Sequence, residues 1–358
     1  LRFGEIMALN LAKTFAVDIG SENIKILKLK SFNSEEIVVE NYSVINTPED
    51  SVLSSFMEKP LTDKAAVTAA IKSELLKMKM NCHEAVITVP DLLIVINWLS
   101  IPVTAVQEDI NSTVKLKLEP MLPQDIEKWF ISQQVINDTE TSNVICEAML
   151  ADNCLAFGGV VQKAGYVPVV IDSTFFNMIN VFHDYLTNEE NETKNIALVL
   201  FGSECSTVSV YKNGEPKTLR NVPIGGSRLT KTLISQLNIT KEEAEELKRT
   251  GEFFLADNAA EQNKVQNYNV IKPVFGELIK ELYNSFDSYL AKFREFKIDE
   301  IILSGGGANF KNIEHAIQYH LNIPIKRGDT LVNVKYDDLP MPGNDVNSCI
   351  AALGALMR

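Results

Sequence analysis

The sequence predicts an α/β protein of two duplicated domains, with a small α+β subdomain inserted into the first. Apolar runs of strand length alternate with segments of helical spacing along most of the chain, the pattern left by sheets covered with helices. One hairpin sequence occurs twice, as Asp18-Ile-Gly20-Ser21-Glu22 and as Leu200-Phe-Gly202-Ser203-Glu204. Between the two copies lies a stretch with its own, shorter pattern.

Residues 15–19, 24–30 and 37–45 read as three consecutive strands joined by short polar turns. Helical spacing follows over 63–80, where Ala66, Ala69, Ala70, Leu75 and Leu76 recur behind the start signal Thr62-Asp63. A strand at 85–89 is stopped by Pro90. Next come a strand-rich run at 92–101, a helix at Gln107–Leu118, strands at 127–135 and 144–151, and a helix at 154–164. Residues 166–171 return to the apolar run of a buried sheet. In the second half, strand 196–199 leads into the repeated hairpin, and 217–222 supplies a third strand as 37–45 does in the first. One Gly-Ser turn signals only a turn, but two in equivalent settings signal duplication. The expected division is a leader at 1–13, a first domain from 14–90, 166–195 and 331–358, an insert at 91–165, and a second domain at 196–330.

With 358 residues, 46% of them hydrophobic, the chain can build two cores, and 23% charged residues exclude wholesale disorder. Lys and Arg number 34 against 47 Asp and Glu, a net charge of −13 that repels nucleic acid and anionic lipid. No apolar stretch nears the ~20 residues of a membrane-spanning helix. Segment 1–13 is too short in apolar residues for a signal peptide, and Met7 is read as the native start. Cys82, Cys146, Cys154, Cys205 and Cys349 form no Cys-x-x-Cys pair, as expected of reduced thiols in cytosol. His315 and His320 lack the i, i+4 spacing of a helical metal site and, with His83 and His183, read as structural.

The chemistry-bearing candidates are the turns. Gly20 and Gly202 lack the Cβ that would keep phosphate oxygens from backbone N–H groups, and Ser21, Asn23 and Ser203 add side-chain donors. On facing domains the two hairpins could clamp a polyphosphate; the alternative is two tight turns with no ligand. Strand 301–304 runs into Gly305-Gly306-Gly307-Ala308-Asn309 and then a helix at 312–320. Three glycines permit close contact with a flat ligand, and the helix N-terminus favours anions. On a helix opened by Thr240, Glu245 and Lys248 share a face at i, i+3. Taken alone, that pair reads as a solvated ion pair.

Taken in order, Asp18-x-Gly20, Gly202, Gly225-Gly226, Ala244-Glu245-x-x-Lys248 and Ser304-Gly305-Gly306-Gly307 resemble the phosphate, phosphate and adenosine motifs of actin-like ATPases. The Ala-Glu-x-x-Lys element is similar to the MreB, FtsA and PilM branch. Within it, the chain most resembles the PilM family of type IV pilus assembly proteins. That match rests on Ile24-Lys25, Val89-Pro90, Leu99-Ser-Ile-Pro102, Glu119-Pro-Met-Leu-Pro123, the run from Ala164 to Asp172, the Arg220–Thr230 motif and the final Ala352–Arg358. The resemblance spans residues 14–358. It implies duplicated actin-like (ribonuclease H-like) domains with ATP or ADP between them, Glu245, Lys248 and Asn309 at the nucleoside end, and Mg²⁺ held through water by Asp18. In one place the chain departs from the family. Leu200 stands where the second hairpin usually opens with Asp, which weakens Mg²⁺ binding and leaves at most a slow ATPase. Asp172 falls near the superfamily's water-activating carboxylate and is the candidate general base, with a helix cap as its alternative role.

The resemblance further implies a cytoplasmic ATP-binding scaffold of a type IV pilus or related secretion platform. Its insert and adjoining lobe would grip the N-terminal tail of a PilN-like membrane protein, drawing it to the inner face of the membrane without insertion of its own. Self-association is left open. A filament former similar to FtsA or MreB would need an amphipathic membrane tail, and the sequence stops at Arg358 after an apolar helix. A small-molecule kinase of the superfamily would need an unambiguous catalytic aspartate. Leu9-Asn10-Leu11 imitates the apolar–Asn–Leu start of PilN tails. It is expected either to be disordered or to dock as an added strand in a partner groove.

Overall fold

The computed structural model describes residues 9–53, 59–102, 107–136, 141–250, 253 and 262–358. Strand β1 (Thr14–Ile19) is buried along its whole length and pairs antiparallel with β2 (Asn23–Phe32), which pairs with β3 (Ile37–Asn46). Helix α1 (Lys64–Lys77) starts at Asp63, whose carboxylate accepts the Ala66 N–H at 2.9 Å. Strand β4 (Glu84–Val89) then lies parallel to β1.

A 3₁₀ turn at Asp91–Leu93 leads into β5 (Ile94–Pro102), α2 (Gln107–Leu118), β6 (Trp129–Val135) and β7 (Thr141–Leu150). These strands form a separate sheet in the order β5-β7-β6, with a small core of Leu99, Val114, Leu118, Trp129 and Val144. Helix α3 (Ala151–Ala164) leaves that core: Phe157, Val160 and Val161 pack with Val67, Ile71 and Leu75 of α1. Strand β8 (Val167–Ser173) joins β4 in parallel, and α4 (Thr174–Thr187) follows.

The second domain repeats the plan. Strands β9 (Ile196–Phe201), β10 (Ser206–Lys212) and β11 (Glu215–Val222) make the same antiparallel meander. Helices α5 (Gly226–Leu237), α6 (Lys241–Thr250) and α7 (Gln262–Phe293) precede β12 (Glu300–Ser304), which returns parallel to β9 as β4 does to β1. Helix α8 (Ile313–Leu321) and β13 (Ile325–Arg327) complete it. The sheet order β11-β10-β9-β12-β13 thus echoes the run β3-β2-β1-β4 of the first sheet, which carries the duplication from sequence into topology. The chain then returns to the first sheet through β14 (Val334–Tyr336), parallel to β3, and β15 (Leu339–Pro340). It closes with α9 (Gly343–Ala355).

Helices α4 and α9 share one core with residues of both large sheets. Their backbones touch at Gly354, where a Cβ would fall 1.7 Å from the Asn177 carbonyl oxygen. Among the described residues no helix is long and apolar enough to cross a membrane. Residues 1–8 of the expected leader at 1–13 lie outside the described residues. Leu9 and Leu11 pack against the chain's own core, and residues 11–13 form a turn, not an added strand. The Asn10 side chain accepts the Ala12 N–H at 3.1 Å.

Candidate functional site

A cavity of about 580 Å³ opens between the two domains. Asp18, Gly20, Ser21 and Asn23 line it from the first domain; Gly202, Ser203, Gly226, Glu245, Lys248, Gly306, Gly307 and Asn309 line it from the second. Of the candidates named from the sequence, Gly225, Gly305 and Asp172 do not reach its wall.

The two hairpins close in the same way, by Gly20 N–H to the Asn23 carbonyl at 3.2 Å and Gly202 N–H to the Cys205 carbonyl at 3.0 Å. Behind the second hairpin, the Gly226 and Ser227 N–H groups of α5 donate to the Gly202 and Ser203 carbonyls at 3.0 and 2.9 Å. A Cβ on Gly225 would lie 2.1 Å from the Ser203 oxygen. Gly225 therefore supports the hairpin from behind, and these first-turn amides of α5 are engaged within the protein. The triple glycine divides similarly. Gly305 has φ +90° and Gly307 sits against the Phe201 ring, so both are required by packing. A Cβ on Gly306 would meet nothing within 4 Å and would point into open space.

Helix α6 begins with a reciprocal cap, Thr240 Oγ1 accepting the Glu243 N–H at 3.2 Å and Glu243 accepting the Thr240 N–H at 2.8 Å. Capping fixes the face that carries Glu245 and Lys248. Lys248 Nζ lies 2.7 Å from Glu245 Oε1 and 2.8 Å from Thr230 Oγ1. Burial alone would raise the Glu245 carboxyl, but Lys248 and the Thr230 hydroxyl bring it below its ordinary value. The pair is a braced carboxylate–ammonium unit on the cavity wall, not a solvated surface bridge. Thr240→Ala should cost about 1 kcal/mol of stability, the usual loss for an N-cap. A thermal melt of the variant unchanged from the parent would contradict the role assigned to the cap. Asn309 donates to the Asn344 carbonyl at 2.8 Å and to Ser348 Oγ at 3.0 Å, tying the glycine turn to the start of α9.

At the opposite end, Asp18 is buried with both oxygens occupied. Thr88 Oγ1 donates to Oδ1 at 2.8 Å, and Lys25 Nζ lies 2.9 Å from Oδ2. Leu200 packs into the core at 6% exposure and offers no oxygen to the cavity it borders. Mg²⁺ demands oxygen ligands in near-octahedral geometry. Asp18 would reach a hydrated Mg²⁺ only through water and in competition with Lys25 and Thr88, and among the described residues no group of three His, Cys, Asp or Glu could hold a metal by itself.

Asp172 is buried away from the cavity. Its Oδ1 accepts the N–H of its own neighbour Ser173 at 2.7 Å, and its Oδ2 lies 3.3 Å from Arg358 Nη1. The cap of α4 is Ser173, which accepts the Phe176 N–H at 3.1 Å. Sequence reasoning missed Lys25, Asp91, Thr207 and Asp345 as wall residues. Lys25 had a signal, since it follows the first hairpin on the alternate side of β2 from Ile24. Asp91, next to a strand-ending proline, had a weaker one.

Comparison with solved structures places this geometry among known folds. The protein aligns over 96% of its length, and 97% of the other chain, with a structure of the PilM-PilN type IV pilus biogenesis complex, at 19% identity and a TM-score of 0.80. The ethanolamine utilization protein EutJ from Carboxydothermus hydrogenoformans aligns over 96% of this chain and 89% of its own, at 14% identity and a TM-score of 0.50. The architecture is the duplicated actin-like ATPase fold. A model of the family described as type IV pilus assembly protein PilM matches residues 16–342, and the chain belongs to that family.

Proposed function

We propose that this pilus assembly protein binds ATP or ADP between its domains and acts as a cytoplasmic scaffold, held at the inner membrane by the N-terminal tail of a PilN-like protein. The observation that carries the reading is the cavity: both glycine hairpins, the Glu245–Lys248 unit and Gly306 converge on one space. The phosphates sit toward the hairpins and the nucleoside toward α6 and the glycine turn. Lys25 supplies the ammonium at the phosphate end once nucleotide competes with Asp18 for it.

The insert is the proposed tail-binding element, together with the first domain. Strand β6 forms one edge of its sheet, an edge to which an extended peptide can add. The other edge strand, β5, is tied to the second domain by Trp98 Nε1, which donates to the Pro216 carbonyl at 2.8 Å. Movement between the domains is therefore felt in the insert. Calorimetry with synthetic N-terminal tails of single-span membrane proteins from the same genome tests the partner. Absence of binding by every tail, with and without nucleotide, would refute it.

A protein of net charge −13 with no membrane-crossing helix among the described residues should depend on its partner for membrane attachment. Flotation with anionic vesicles should recover less than a tenth of the protein unless a tail-bearing partner is present. Strong recovery without any partner would point to a membrane-binding filament protein.

A further inference from the structure

Two carboxylates on the cavity wall are explained by none of the motifs: Asp345, which accepts the Tyr42 hydroxyl at 2.8 Å, and Asp91. Asp91 lies in the 3₁₀ turn after Pro90; it is 3% exposed and borders the cavity. Its Oδ1 accepts the Phe175 N–H of α4 at 2.9 Å, and its Oδ2 accepts the Thr207 hydroxyl of β10 at 2.8 Å. Both domains thus hold it, on the strand that leaves the second phosphate hairpin. Of the two aspartates the motifs offered, Asp172 is turned to Arg358 away from the cavity, whereas Asp18 lies on the wall with Thr88 and, until nucleotide takes it, Lys25 as its partners.

Resting on the nucleotide-binding reading, we propose that Asp91 orients and deprotonates the water that attacks the terminal phosphate of bound ATP. In that step the water oxygen bonds to the terminal phosphorus. The bond from phosphorus to the bridging oxygen breaks, and its electron pair stays on ADP. The water proton passes to Asp91 and then to solvent, so that ATP and water become ADP, inorganic phosphate and a proton. Each Asp91 oxygen accepts one hydrogen bond from protein and keeps a lone pair for water. The surroundings suit a base near neutrality. Burial raises the Asp91 carboxyl, the Phe175 amide and Thr207 hydroxyl lower it, and Asp18 and Asp172 raise it again, to about 6. Glu147 and Cys205 are the other titratable groups that feel its charge.

Asp91→Asn keeps a hydrogen-bonding side chain toward both Phe175 and Thr207 and removes only the basicity. Single-turnover hydrolysis of ATP should slow about 100-fold, within the usual contribution of a general base, while ADP affinity by calorimetry stays within about threefold. The parent rate should climb as pH rises through about 6 and level off above, because the carboxylate form is the active one. The variant's residual rate should lack that step. If the variant fails to fold, Thr207→Val serves instead: losing the hydroxyl that lowers the Asp91 carboxyl should move the step to higher pH, which titration of the terminal phosphate would not do. No ADP binding by the parent would remove the nucleotide reading and this proposal together. ADP binding with no detectable turnover, a variant at the parental rate, or a parent profile flat around pH 6 would overturn the role of Asp91 alone.

Discussion

Gly306→Val should reduce affinity for ATP and ADP by about 100-fold, roughly 2.8 kcal/mol, with little change in thermal stability. The separation of effects is what makes the test informative. Gly306 has no left-handed φ, and a side chain built there meets no protein atom within 4 Å, so the native fold tolerates valine. The added isopropyl group enters the cavity, on the side proposed for the nucleoside. Its neighbours behave in the opposite way. A Cβ on Gly307 would fall 2.5 Å from the Phe201 ring, so Gly307→Val should destabilise the second domain through overpacking. Calorimetry and thermal melts on the two variants distinguish ligand exclusion from damage to the fold. Parental affinity in Gly306→Val would place the ligand elsewhere.

The strands and hairpins were legible because their signals are local. β9 reads as an unbroken apolar run, and β1 as one interrupted by Asp18, because both faces are covered, and the hairpin glycines are fixed by the turns themselves. Helix α4 was not legible for a physical reason. Nine of its residues, from Phe175 to Phe182 and again at Leu186, are buried, and these include Asn177 and Asn180 of its polar stripe, so that stripe does not mark a solvent face. Helix α7 hides differently, with Pro273 inside its span and hence a local signal that argues against continuation. The site followed the same rule. Residues at turn tips were found, but Asp91 meets Thr207 across a separation of 116 residues. Only the packing of two domains brings such a pair together. Asp172 was placed near the chemistry by its position at the end of a sheet strand, yet its side chain is turned to Arg358.

Arg358→Gln should lower stability by about 3 kcal/mol at neutral pH, the scale expected when one partner of a buried ion pair is lost. The guanidinium lies 3.3 Å from Asp172, on β8, and it lowers the carboxyl of Glu147, on β7 of the insert. Burial raises both carboxyls, and their mutual repulsion raises Glu147 further; Arg358 is the cation that opposes both effects. Glu147 Oε1 has no hydrogen-bond partner, so charge on it is poorly compensated without that cation. A carboxyl whose folded-state value lies above its unfolded value of about 4 favours the folded state fully below that value. It loses that contribution as pH rises through the folded value. Removing Arg358 moves the folded values higher still. The deficit of Arg358→Gln against the parent should therefore be largest at pH 8 and shrink as pH falls toward 5. Adding Asp172→Asn to the variant should recover part of the loss at pH 8 by replacing an uncompensated charge with an amide. Denaturant midpoints measured across that range give the answer. A deficit that stays constant with pH, or a double variant no better than the single one, would mean that Arg358 acts by packing and not as the counter-charge joining the insert to the first domain.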